Sequence, residues 1–196
     1  MPSLYELKPR FQGMLRPLVG CLARSGVTAN QVTIGTGVAS VLLGAALAIE
    51  HRGWILLPMF LLVRMALNAA DGMLAREHGQ ATKLGAVLNE FMDLISDAAL
   101  TLPFATLAGW NSLLIAGAIF FAALTDMAGV VGLAIGSTRR YDGPFGKSDR
   151  ALVLGVLGVW LAFGWPISDI VRVIGPVAWI VLCCATVVQR VRRALG

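Results

Sequence analysis

The sequence predicts an all-α integral membrane protein, six transmembrane helices preceded by an N-terminal amphipathic surface helix. Three observations carry that prediction. The chain is 57% hydrophobic and only 14% charged over 196 residues, more apolar surface than one soluble core of this length can bury. Its apolar residues gather into six runs, near 32–50, 54–76, 84–109, 111–136, 151–167 and 170–188. These lengths approach the roughly 20 helical residues that cross a hydrocarbon layer. Basic residues, finally, collect on alternate connections.

The N-terminal segment, residues 1–27, reads as juxtamembrane. Phe11, Met14, Leu15, Leu18, Val19 and Leu22 recur at helical spacing, with Arg10, Arg16 and Arg24 elsewhere around the helix. That pattern suits a helix lying on an anionic membrane surface, although Pro9 and Pro17 argue against one long unbroken helix. No compact apolar stretch ends in a small-residue cleavage site, so a signal peptide is not expected. Thr28 or Asn30 is expected to cap the first span. Ala108-Gly109-Trp110-Asn111 marks a turn between the third and fourth spans, and the fifth ends at Trp165-Pro166. The longest polar connection, 137–149, contains two glycines and a proline, with Asp149 as a cap for the fifth span. Residues 28–196 form the six-helix bundle, and the whole of 1–196 reads as one domain.

Charge sets the topology. Lys8, Arg10, Arg16 and Arg24 precede the first span, and Arg76 and Lys83 flank the second connection. Arg139, Arg140, Lys147 and Arg150 lie between spans four and five, and Arg190, Arg192 and Arg193 close the chain. Only Arg52 and Arg172 fall on the other side. The positive-inside rule places both termini and the larger connections in the cytoplasm. The net charge of +5 speaks for anionic lipid and phosphorylated ligands. Nucleic acid is a poor partner, because no basic residues interleave with aromatics on a soluble domain.

Other residues read as structural. Cys21, Cys183 and Cys184 show no metal-ligand spacing. His51 and His78 fall in connections. Trp54, Trp110 and Trp165 sit near span ends, where interfacial anchors lie, and Gly35, Gly37, Gly44, Gly155 and Gly158 suit close helix packing.

Charged residues inside spans are costly and therefore point to function. Arg64, Asp71, Glu90, Asp93, Asp97 and Asp126 all fall within or at the ends of apolar runs. Asn68, Asp71, Gly72, Ala75 and Arg76 step by threes and fours along one helix face, and Asn89, Asp93 and Asp97 step by fours, with Glu90 beside them. On two helices joined by the 77–83 connection, these faces converge near the cytoplasmic leaflet. Oxygen donors without His or Cys favour Mg²⁺, Mn²⁺ or Ca²⁺. Arg76 and Lys83 add positive charge for phosphate, and Gly72 and Ala75 open the backbone to a ligand. Together these are the parts of a metal-assisted phosphoryl-transfer site. The alternative is a polar network that only locks helix packing.

The stretch Asn68-Ala-Ala-Asp71-Gly72-Met-Leu-Ala75-Arg76, eight residues to Gly85, then Asn89 and Asp93, resembles the motif of the CDP-alcohol phosphatidyltransferase family. The motif covers 26 residues and its spacing holds throughout. The resemblance implies two divalent ions, Mg²⁺ or Mn²⁺, binding a CDP-diacylglycerol donor whose phosphatidyl group passes to an alcohol acceptor with release of CMP. It assigns Asp93 as the base, and Asn68, Asp71, Asn89 and Asp93 as metal-site residues. Gly72, Ala75, Arg76, Lys83 and Gly85 fall to the CDP and phosphate site. It also implies a homodimer in a bacterial-type cytoplasmic membrane, with the active site facing the cytoplasm. The first and third motif aspartates are here Asn68 and Asn89, which removes two charges; Glu90 and Asp97 are placed to compensate, and a one-metal site is a second reading. Arg139, Arg140, Lys147 and Arg150 suit a phosphate-bearing acceptor such as glycerol phosphate or inositol phosphate, or serve topology alone. Asp126 either lines that acceptor site or pairs with Arg64. The competing class is a catalytically degenerate relative acting as a membrane scaffold.

Overall fold

The computed structural model describes residues 4–196, with side chains described from residue 11 onward except at residue 51. Among these residues seven α-helices follow one another: α1 (Leu4–Arg24), α2 (Ala29–Ile49), α3 (Leu56–Glu77), α4 (Lys83–Thr101), α5 (Ser112–Ala134), α6 (Lys147–Ala162) and α7 (Asp169–Leu195). Short 3₁₀ turns at His51–Gly53 and Leu102–Thr106 complete the described structure, which holds no strand. Lys8 and Arg10 have side chains outside the described set, as does His51.

Four helices, α2, α3, α5 and α7, are long and apolar enough to cross a membrane. The other two predicted spans differ for visible reasons. Helix α4 carries Glu90, Asp93 and Asp97, and α6 is 16 residues long with Lys147, Asp149 and Arg150 at its start. Large apolar side chains nonetheless face outward along every predicted span, among them Leu42, Leu62, Phe91, Phe120, Leu152 and Ile174. An outer surface this apolar suits lipid as solvent. Arg64, Asp71, Glu90, Asp93, Asp97 and Asp126, charged residues inside those runs, are buried or half-buried instead.

Local chemistry explains the helix ends. Thr28 caps α2 reciprocally with Gln31: the Gln31 amide donates to Thr28 Oγ1 at 3.2 Å, and the Thr28 amide donates to Gln31 Oε1 at 2.9 Å. Asn111 caps α5 through the amides of Leu113 and Leu114. Asp149 acts from the first turn of α6, where its carboxylate accepts from the Gly146 amide at 2.8 Å; Gly146, not Asp149, is the capping position. Helix α1 runs unbroken through Pro9 and Pro17. Pro17 removes one internal bond, to the Gly13 carbonyl, and the helix continues through it.

The described residues form two compact units, Met1–Leu42 with Phe60–Ser96, and Leu43–Met59 with Asp97–Gly196. In the first, Val19 of α1 is buried with Ala29, Ala70, Met73 and Leu74, and Leu15 and Leu22 pack beside it. Met14 (79% exposed) and Leu18 lie on the open side of α1. The apolar residues of α1 therefore divide between a face packed on protein and a face left outward. An Arg16–Glu77 ion pair at 3.4 Å ties α1 to the end of α3.

In the second unit α5 packs along α7. Trp54 is fully buried with its ring 4.8 Å from Phe104, which in turn meets Trp110 edge-on. Trp54 is thus a core residue, and Trp165, half exposed and stacked on Phe163, fits the expected anchor better. The expected close packing holds at Gly44, where a Cβ would meet the Ala99 carbonyl, and at Gly158 against Leu57 and Pro58. It does not hold at Gly35, which faces open space. Cys183 is buried and all three cysteines are free thiols.

Candidate active site

Helices α3 and α4 bring the motif together within the first unit. Their partners run in opposite sequence directions, as in an antiparallel pair: Arg64 and Asn68 meet Asp93, while Asp71 and Asn89 share a pocket further on. That pocket, about 210 Å³, is walled by Ala29, Asn30 and Thr33 of α2, Asp71, Gly72, Ala75 and Arg76 of α3, and Gln80–Thr82, Gly85, Ala86 and Asn89. Buried Asp71 accepts from Thr33 Oγ1 at 2.8 Å. Gln80 fixes the start of α2: its Oε1 accepts from the Ala29 amide at 2.7 Å, and its Nε2 donates to the Val27 carbonyl.

The motif's two glycines each have a geometric role. A Cβ at Gly85 would lie 2.7 Å from Asn30 Oδ1, so glycine lets α2 close on the first turn of α4. At Gly72 a Cβ would lie 3.0 Å from an Arg76 terminal nitrogen, so the glycine makes room for that guanidinium one turn on. Lys83 opens α4 with an exposed side chain and is not among the residues walling the pocket.

At the Asp93 end the arrangement is different. Arg64, 5% exposed, donates through one terminal nitrogen to Asp93 Oδ1 and to the Asp93 carbonyl, both at 3.3 Å. Asn68 Nδ2 donates to the same Oδ1 at 3.1 Å. The carboxylate therefore meets an amide and a guanidinium where the motif resemblance implies metal ligands. Among the described residues no three carboxylate, His or Cys side chains converge as a metal cage.

The second unit holds a polar cavity of about 340 Å³, walled by Asp126 and Gly129 of α5, Arg139–Tyr141, Gly143, the 146–149 turn and Arg190 of α7. Arg139, Arg140 and Lys147, predicted for an acceptor, are in its wall. Arg150 is not. It is buried, donating to Thr125 Oγ1 at 2.7 Å, Asp126 at 2.7 Å and Asp97 at 3.3 Å. Asp126 thus takes both a place in the cavity wall and an ion pair, with Arg150. Asp97 belongs to the second unit and to the Arg150 network.

Sequence reading placed Arg190 only in the basic C-terminal tail. It is buried, and it donates to the Asp142 carbonyl at 2.9 Å and to the Thr125 carbonyl. The signal available was its position seven residues beyond Cys183 on the same helix face. The loop opposite is pinned by Thr186, whose hydroxyl accepts from the Phe145 amide at 3.1 Å and donates to the Leu182 carbonyl. Arg193 pairs with Asp142 at 2.8 Å, and Arg140 donates to the Arg193 carbonyl.

Four helices long and apolar enough to cross a membrane, with Arg64, Asp71 and Arg150 buried among the helices, mark a multi-pass membrane protein. The profile of CDP-alcohol phosphatidyltransferases matches residues 26–190, and the chain belongs to that family of transferases of substituted phosphate groups. Inner membrane protein YnbA of Escherichia coli is 47% identical over 162 residues, covering 82% of this chain and 81% of that one. A phosphatidylinositol phosphate synthase of Streptomyces avermitilis is 32% identical over 197 residues, covering 92% and 78%. The crystal structure of the Mycobacterium tuberculosis phosphatidylinositol phosphate synthase with CDP-DAG bound shares the fold, with a TM-score of 0.75 at 23% identity over 91% of this chain and 92% of that one.

Proposed function

We propose that this chain transfers a phosphatidyl group from CDP-diacylglycerol to the hydroxyl of a phosphate-bearing polyol, releasing CMP on the cytoplasmic side of the membrane. The observation that carries this reading is the α2–α3–α4 pocket, in which Asp71, Gly72, Ala75, Arg76, Gly85 and Asn89 of the motif stand in one wall. The 210 Å³ volume suits part of a nucleotide, and Arg76 supplies charge for its phosphate. A solved relative binds CDP-DAG, and another crystal of that protein contained manganese and citrate.

The oxygen donors Asp71 and Asn89 fit a hard cation, Mg²⁺ or Mn²⁺, at that end. Held there, such an ion would supply positive charge to the donor's pyrophosphate and to the leaving CMP. Asp93 takes the proton from the acceptor hydroxyl. As that oxygen bonds to the lipid-side phosphorus, the bond from that phosphorus to the CMP oxygen breaks, with its electron pair leaving on CMP. Arg64 and Asn68, both held on Oδ1, fix the orientation of the Asp93 carboxylate.

The acceptor class follows from the second cavity. Arg139, Arg140, Lys147 and Arg190 outnumber Asp126 and Asp149 in its wall, and the start of α6 adds backbone dipoles that favour an anion. Relatives named phosphatidylinositol phosphate synthase and archaetidylinositol phosphate synthase support inositol phosphate ahead of glycerol phosphate. The six-span topology, cytoplasmic termini and membrane-surface placement of α1 are part of the same proposal, as is a homodimer.

The test is CMP release by purified protein in lipid-containing micelles, with CDP-diacylglycerol, Mn²⁺ and a panel of inositol phosphate, glycerol phosphate, serine and inositol. Release with a phosphorylated polyol that stops with EDTA and with Asp93→Asn supports the proposal. Release only with an uncharged alcohol overturns the acceptor assignment. Silence across the panel with donor still bound favours a degenerate site.

A further inference from the structure

We infer that the Arg64 guanidinium takes the place of one of the two divalent ions that the family motif implies, so that this chain holds one ion where the motif provides for two. The inference rests on the proposed donor site and concerns how that site is charged.

Arg64 is a costly residue where it lies. A guanidinium buried on a membrane helix pays desolvation that an aliphatic side chain of the same volume avoids. What Arg64 does is hold Asp93, through Oδ1 and the backbone carbonyl of the same residue. The second group on Oδ1 is Asn68, the residue that stands at the first aspartate of the motif. With aspartate at 68, two carboxylates would face each other and need a cation between them. With asparagine, the amide donates directly to Asp93, and the guanidinium supplies the remaining positive charge. The substitution at 68 and the buried arginine therefore answer the same electrostatic problem.

Asp71, Glu90 and Asp93 bring three negative charges to this stretch of α3 and α4, and Arg64 offsets one of them without an ion. The distribution of the groups agrees. Asp71 and Asn89 stand together in the pocket wall, while Asp93 is engaged by Arg64 and Asn68 away from it.

The experiment counts ions and leaves turnover aside: Mn²⁺ bound per chain, by electron paramagnetic resonance of free Mn²⁺, in purified micellar protein. Wild type is expected to bind one. Asn68→Asp/Asn89→Asp, with Arg64 in place, should still bind one, and adding Arg64→Met to that pair should raise the count to two. Arg64→Lys keeps the charge and should stay at one. Two ions in wild type or in the paired aspartate variant overturn the inference, and so does a count of one in the triple variant when it elutes as folded protein. Should the triple variant not fold, the wild type and the pair decide alone. No Mn²⁺ in wild type overturns this inference together with metal dependence. One ion bound without CMP release leaves the Arg64 assignment standing and removes the transferase reading.

Discussion

Arg150 and Asp126 form a 2.7 Å ion pair in the second unit, with the guanidinium almost fully enclosed and also donating to Asp97 and Thr125. One cation thus balances two carboxylates that would otherwise repel in a dry environment. Arg190 adds a weaker contact to Asp126 at 3.9 Å. The network fixes α6 to α5 where the cavity wall begins.

Removing Arg150 is therefore a stability experiment before it is an activity experiment. Arg150→Met leaves Asp97 and Asp126 without their shared partner, at a cost of about 3–5 kcal/mol for breaking a buried pair. Thermal unfolding in micelles should show a large drop in Tm. Asp126→Asn, which keeps a hydrogen-bond acceptor for Arg150, should cost less. Equal Tm values for Arg150→Met and wild type would remove the network from the account of stability.

Glu90 and Asp97 should separate. Asp97 is occupied by Arg150, so Asp97→Asn should lower Tm and leave Mn²⁺ affinity near the wild-type value. Glu90→Gln, beside the motif, should weaken Mn²⁺ binding. The opposite pattern in titrations and melts would return Asp97 to the metal site.

Gly143 has φ +124, and a Cβ there would lie 2.4 Å from the Thr186 methyl. Alanine at this position is both strained and obstructed, and both effects fall on the loop that walls the cavity proposed for the acceptor. Gly143→Ala is expected to raise KM for the acceptor about tenfold or more, a loss of about 1.4 kcal/mol in binding, while KM for the donor stays unchanged. A rise in donor KM alone would place the loop's role elsewhere.

Two helix glycines should respond differently to alanine. At Gly44 the new methyl would sit 2.1 Å from the Ala99 carbonyl oxygen, backbone that has no room to yield. At Gly37 the nearest atom is the Met92 sulfur, the mobile part of a flexible side chain. Gly44→Ala should cost about 1–3 kcal/mol or more by overpacking, and Gly37→Ala less than about 1 kcal/mol once Met92 repacks. Comparing the two melting temperatures checks this directly.

Asp93→Asn should reduce CMP release by a factor of about 10²–10⁴, the usual contribution of a positioned general base, while donor binding persists. Retained turnover would move the base to another group.

The sequence by itself determined the class of molecule and the family it belongs to. Both rest on information that is local in the chain: apolar run length for the helices, and spacing by threes and fours for Asp71, Ala75, Asn89 and Asp93, which share faces once the helices form. Cap chemistry was legible for the same reason, as Thr28 shows with Gln31. What lay beyond the sequence were the pairings across helices. Arg64 with Asp93, Arg150 with Asp126 and Asp97, and Arg190 with the 125 and 142 carbonyls depend on which faces of which helices meet. The same holds for Trp54, whose place near a span end suggested an interfacial anchor until Phe104 closed over it. A charge in an apolar run announces that it needs a partner, because lipid supplies none. Only the packed helices decide which partner it has, since several lie within reach and tertiary geometry selects among them.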